Sequence, residues 1–183
     1  MMKQFFLFLS PLLFLTACKK EKIKESTSPE TAVIQKIDEL YKVYGNSNDA
    51  LYTQSFSNHL FSPELKKALE AAVNVSKADM EKVRKSDHPD EKPLLFEGAV
   101  FSSIYEGFSG YKIKSVKINS DGTSADADVD FEYTMAPPKI TWTDKVHLIN
   151  PDEGWKIDNI IFDRIGSVKD LKTNLKDFTQ NAQ

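Results

Sequence analysis

From Ser124 to Tyr133 the chain alternates with a period of two. Ala125, Ala127, Val129, Phe131 and Tyr133 take one parity, and Asp126, Asp128, Asp130 and Glu132 the other. Successive side chains of an extended strand point to opposite faces, so this pattern predicts a strand with one face buried and one in water. Asp121-Gly122, just upstream, is a two-residue hairpin turn that sets Lys117 opposite Asp126. Before it, Tyr111 and Ile113 share one parity while Val116 and Ile118 take the other. A phase switch of that kind predicts a β-bulge, which brings Lys114 and Lys112 toward the remaining acids. Two further strands, Ile140 to Asn150 and Trp155 to Phe162, flank a turn at Pro151-Asp152-Glu153-Gly154.

The half of the chain before Gly98 has a helical period instead. Ser28-Pro29 reads as an N-cap followed by proline at the first helical position, and Val33, Ile37, Leu40, Tyr41 and Tyr44 form one stripe up to Gly45-Asn46. Asn48 can cap a short second helix with Leu51, Tyr52 and Phe56 on its apolar face. Ser62-Pro63 repeats the cap, and Leu65, Leu69, Ala72, Val73, Met80 and Val83 predict a long third helix ending by Asp87-His88-Pro89-Asp90. Ser167 with Asp170 reads as a capping box before a last helix carrying Leu171, Leu175 and Phe178. Helices followed by antiparallel strands give an α+β class: a curved, cone-like sheet of about four strands, covered by the N-terminal helices, with a short C-terminal helix.

The N-terminus follows different rules. After Lys3, an apolar run from Phe5 to Leu15 is too short to span a bilayer but fits the core of a signal peptide. Leu15-Thr16-Ala17-Cys18 resembles the lipobox of bacterial lipoproteins, which implies cleavage before Cys18 and acylation of that cysteine. The expected organisation is a lipoprotein signal peptide over 1–17, a flexible polar tether over 18–29 and a domain over 30–180. Lys20 resembles the residue that directs such proteins to the outer membrane, facing the periplasm. With the single cysteine used for lipid, none is left for a disulfide, a thiolate zinc site or a cysteine nucleophile. Lys and Arg total 24 against 27 Asp and Glu, which argues against a nucleic-acid surface.

Beyond the elements themselves, Phe61-Ser62-Pro63-Glu64-Leu65, Pro93-Leu94-Leu95 and the terminal hairpin from Trp142 to Leu148 and Gly154 to Ile160 carry a resemblance. They resemble the nuclear transport factor 2-like superfamily and, within it, the bacterial lipoproteins of domain of unknown function 3828. That resemblance implies a half-barrel with a pocket between sheet and helices. Some relatives use such a pocket for isomerase or dehydratase chemistry, whereas many only bind ligands or partners.

Candidate chemistry is sparse. Asp126-Ala127-Asp128-Val129-Asp130 copies the opening of a calcium loop, but Phe131 and Pro137 stand where glycine and glutamate are needed. His59, His88 and His147 are scattered, so no metal or cofactor is expected. Aligning Asn150 with Trp155 sets Leu148 opposite Ile157, His147 opposite Asp158 and Val146 opposite Asn159. Asp144 and Asn159 then point inward with Trp142, Trp155, Ile157 and Ile161, near Tyr133. A buried carboxylate must be hydrogen-bonded or have a raised pKa. Asp144, Asn159, Tyr133, Trp142 and Tyr52 are therefore the candidate pocket residues, and His147–Asp158 an outer-face ion pair. No catalytic set is complete. The expectation is a lipid-anchored envelope protein that binds a partner protein or a small apolar ligand; the alternative is a small isomerase- or lyase-like enzyme using Asp144 with tyrosine donors.

Overall fold

The structure, a computed structural model, describes residues 28–45, 49–151, 154–163 and 170–182. The signal peptide, Cys18 and the tether up to residue 27 lie outside the described residues, as does the Ser167 half of the expected capping box. Three helices come first: α1 (Pro29–Tyr44), α2 (Asp49–Thr53) and α3 (Pro63–Arg84). Four strands follow, β1 (Gly110–Ile118), β2 (Ser124–Tyr133), β3 (Ile140–Ile149) and β4 (Lys156–Ile161), and then α4 (Leu171–Asn181). The strands form one antiparallel sheet in the order β1-β2-β3-β4. This is the expected α+β fold, and its bulged sheet is consistent with the expected cone.

Capping explains where the long helices begin. The Ser28 hydroxyl accepts from the Thr31 amide at 3.2 Å, and the buried Ser62 hydroxyl accepts from the Leu65 amide at 3.1 Å. Each satisfies an amide that the first helical turn leaves without a carbonyl. The stripe Val33, Ile37, Leu40, Tyr41 and Tyr44 is buried on α1, and Gly45 follows its last turn. A Cβ at Gly45 would lie 2.4 Å from the Tyr41 carbonyl oxygen, so only glycine fits that exit.

The α3 stripe stops earlier than its pattern suggests. Leu65, Leu69, Ala72 and Val73 are buried, but Met80 is 46% exposed and Val83 only half-buried. The reason lies at Ser76, which is buried and whose hydroxyl donates to the Ala72 carbonyl and accepts from the Phe96 amide at 2.8 Å. From there a loop, not the sheet, runs alongside the helix, held by the Leu94 amide on Asp79 at 2.6 Å. At the C-terminal helix, Asp170 itself is the N-cap, accepting from Thr173 at 3.0 Å.

The β1–β2 register has Lys117 opposite Asp126, with the bulge falling between Ile113 and Ser115 as the phase switch requires. Ala125, Ala127, Val129 and Phe131 are buried, with Phe131 against Tyr41 of α1, while the acids alternate toward water. The final hairpin departs from expectation. Leu148 faces Ile157, but His147 faces Asn159 and Val146 faces Ile160, because Asp158 is the extra residue of a second bulge. One inserted residue reverses the parity of everything after it. Ile160 therefore enters the core, whereas Ile161 is 43% exposed and Asn159 sits half-buried at the edge. The bulged register buries Ile160 in place of Ile161 and moves the polar Asn159 out of the core.

The two sheet edges are treated differently. At β4, the Ile157 amide donates to the Leu60 carbonyl and the Ile157 carbonyl accepts from Ser62, both at 2.8 Å. A second bridge joins Ile161 to Asp170. At β1, no described residue makes a backbone hydrogen bond on the side away from β2. No described helix is long and apolar enough to cross a membrane.

Candidate functional site

Asp144 shares the inward parity of β3 with Trp142 and Val146 and is completely buried. Its carboxylate is fully occupied. Oδ2 accepts from the Ser103 amide at 2.8 Å and from the Trp142 indole Nε1 at 3.1 Å. Oδ1 accepts from the Ser103 hydroxyl and from the Asp163 amide at 3.1 Å. Burial pushes the carboxyl above its ordinary value, and these four hydrogen bonds pull against that rise without cancelling it. The donors come from the segment before β1, from β3 and from the chain leaving β4. Asp144 thus ties two irregular segments to the sheet, and no acceptor direction is left for a substrate proton.

The partners anticipated for Asp144 are only partly there. Trp142 is beside it, stacked on Phe131 at 5.4 Å. Asn159 is not, because of the Asp158 bulge. Its amide nitrogen donates to Asp170 at 3.0 Å and its carbonyl oxygen accepts from the Lys172 amide at 3.1 Å, so it fastens the start of α4 to the sheet edge. The Tyr52 hydroxyl donates to the Phe96 carbonyl at 2.7 Å, which fixes a loop. Tyr133 is half-buried at the end of β2, opposite Ile140. The expected pairing of His147 with Asp158 also gives way. His147 Nδ1 lies 2.7 Å from Asp126, while Asp158 takes the Lys172 ammonium at 2.9 Å.

Between α1 and the sheet the space is filled by rings. Tyr41 meets Phe108, Tyr111 and Phe131 with centroids 5.6, 4.9 and 5.3 Å away. Burial, followed by the nearby Asp144 charge and Tyr111, drives the Tyr41 hydroxyl well above its ordinary pKa. That hydroxyl and the Ser102 hydroxyl are buried without a hydrogen-bond partner among the described residues. Tyr111 reaches across to α1, donating to Asp38 at 2.9 Å, and burial plus that bond push it up to about 12.

A depression of about 680 Å³ opens on the other side of the sheet. Its lining is mostly two cross-strand rows of the solvent parity, Gly110–Glu132–Thr141 and Lys112–Asp130–Thr143, with Lys114 and Asp163 at its margin. Asp130 accepts from the Thr143 hydroxyl at 2.6 Å and lies 3.7 Å from Lys114, and Glu132 is paired with Lys139. Lys112 has no carboxylate within ion-pair distance among the described residues. Lys112, Lys114, Asp130 and Glu132 belong to the alternation that the sequence shows, whereas Asp163 lies beyond the last strand it predicts. Their convergence depends on register across three strands, which a single alternating run does not reveal.

Among the described residues, no group of three histidine, cysteine or acidic side chains is placed to hold a metal ion. The depression presents ammonium, carboxylate and hydroxyl groups in a row, an arrangement suited to recognising a polar chain. Set against protein-family models, curated proteins and solved structures, the chain finds no match, so a functional reading rests on its residues and their geometry.

Proposed function

We propose that this chain is a lipid-anchored protein of the bacterial cell envelope that acts by binding a partner protein and not by catalysis. In this reading Cys18 carries the acyl chains, the outer membrane holds the anchor, and the domain faces the periplasm. The observation that carries the binding role is the state of Asp144. The one buried acid among the described residues has two donors on each oxygen and no exposure, so it supports structure and has no free lone pair for general-base work. The accessible polar groups lie instead on the outer sheet face, which fits a partner protein better than an apolar ligand. Kinship with domain of unknown function 3828 and the nuclear transport factor 2-like superfamily belongs to the same proposal, supported by the order of helices, bulged sheet and last helix.

Two measurements test it. Cys18→Ala in the full chain is expected to move the protein from the membrane to the soluble fraction, and persistent membrane association refutes the anchor. Crosslinking in intact envelopes is expected to recover a defined protein partner. Turnover of a metabolite that Asp144→Asn abolishes without lowering the melting temperature refutes the binding role.

A further inference from the structure

We propose that the open edge of β1 is a docking site for an extended segment of another protein, one that alternates acidic and small apolar residues and adds to the sheet as a fifth strand. The proposal rests on the binding role above and names the chemistry of what is bound. Three observations converge on it. First, β1 is nine residues long, yet among the described residues only its β2 side is paired, whereas the six-residue β4 has its outer edge bridged by the chain's own Leu60–Ser62 and Asp170. Because the Asn119 amide bonds the Ser124 carbonyl, alternation turns the amides and carbonyls of Val116 and Ile118 away from β2, toward the open side.

Second, charge selects the occupant. Lys112 and Lys117 stand on the solvent parity of β1, and neither has a carboxylate within ion-pair distance among the described residues. Asp126, the residue facing Lys117, is engaged with His147 at 2.7 Å. Acids on an incoming strand would sit beside both ammonium groups. A second copy of this chain, pairing antiparallel through the same edge, would instead set lysines against lysines. Third, on the inward parity Ile113, Val116 and Ile118 are only half-buried, so α1 leaves apolar surface that small side chains of an added strand would cover. β2 already shows the pattern that fits, with its acids toward β1's lysines and its alanines and valine inward. Strand addition of this type draws affinity from the main chain and selectivity from alternate side chains.

The probe is a fluorescein-labelled peptide copying residues 124–133, titrated against the full-length chain by fluorescence anisotropy, with amide exchange read in parallel. Binding is expected to weaken by about tenfold when the four acids become amides, and by a similar factor in the Lys112→Glu/Lys117→Glu variant. N-methylation of one set of alternate peptide amides is expected to abolish binding while the other set tolerates it. Exchange at Val116 and Ile118 is expected to slow on binding, with β2 protection unchanged. Equal binding of the amide peptide overturns the proposal. So does protection of Val116 and Ile118 in the free chain, which would mean that its own N-terminal segment or a second copy occupies the edge. Loss of β2 protection, meaning the peptide has replaced β2, overturns it as well. Envelope crosslinking separates the two levels. A partner captured equally by wild type and by the lysine variant overturns the edge site and leaves the binding role standing. A partner captured only by wild type, and displaced by the peptide, supports both. Failure to capture any partner overturns the binding role.

Discussion

Replacing Asp144 by asparagine removes one charge and one acceptor from a site built entirely of donors. The new NH2 group must take the place of one oxygen. At Oδ2 it would confront both the Ser103 amide and the Trp142 indole, neither of which can accept. At Oδ1 it meets the Asp163 amide and the Ser103 hydroxyl, and a hydroxyl can turn to accept. Asparagine therefore settles with its nitrogen toward Ser103 Oγ and orphans the Asp163 amide. A buried unpaired donor costs about 1–3 kcal/mol, and the remaining bonds weaken as they lose charge assistance, while relief of burying a charge offsets part of this. The expected net loss is about 2 kcal/mol at neutral pH, and more for Asp144→Ala, which orphans three N–H groups. Urea unfolding followed by tryptophan fluorescence reads it as a lower midpoint at unchanged slope. The pH dependence carries a definite sign. Burial raises the native pKa of Asp144 above its ordinary 3.8, so the folded state binds the proton more tightly than the unfolded chain. Wild type thus gains stability relative to Asp144→Asn as pH falls through the native pKa toward 3.8, and the cost of the substitution grows in that direction. A variant as stable as wild type, or a cost that shrinks on acidification, refutes this account of the site.

Other substitutions probe the scaffold. Ser62→Ala leaves the Leu65 amide without its cap inside the protein and is expected to cost about 1–2 kcal/mol, read by denaturant midpoint. Lys172→Met removes the ammonium that joins Glu64 at 2.7 Å to Asp158 at 2.9 Å, leaving Asp158 largely buried and unpaired; a loss of about 1–2 kcal/mol and faster amide exchange in α4 are expected. Gly98 has φ +94°, and a Cβ there would come within 2.4 Å of the Tyr105 ring, so Gly98→Ala should lower stability by more than about 1 kcal/mol in a thermal melt.

Much of the sheet was legible because its cause is local. The parity switch between Ile113 and Val116 is a bulge written in consecutive residues, and Asp121-Gly122 centres the hairpin so that Lys117 meets Asp126. Helix starts at Ser28 and Ser62 were legible for the same reason, since cap and proline are neighbours. The second bulge was hidden. Ile160 and Ile161 are adjacent, either can serve as the inward residue, and the choice is made by α4 and Asp170 packing on that edge. Once Ile160 turned inward, Asn159 and the His147–Asp158 pair left the places a regular ladder would give them. The inward position of Asp144 was readable from β3 alternation, but its chief partner Ser103 lies 41 residues earlier in an irregular loop, where no periodicity points to it. The end of the α3 stripe was unreadable likewise. Met80 keeps the apolar spacing of a packed residue, although the segment alongside that part of the helix is the loop at Leu94 and Phe96, which leaves it exposed.

Phe61 bridges Ile157 while the next residue, Ser62, both donates its amide to that isoleucine and seats the first turn of α3. Fraying of β4 therefore removes the backbone partner of the residue that caps α3, which couples the opening of the two elements. Parts of the chain almost a hundred residues apart are fused into one cooperative unit, so the domain cannot finish folding until nearly all of it has been synthesised.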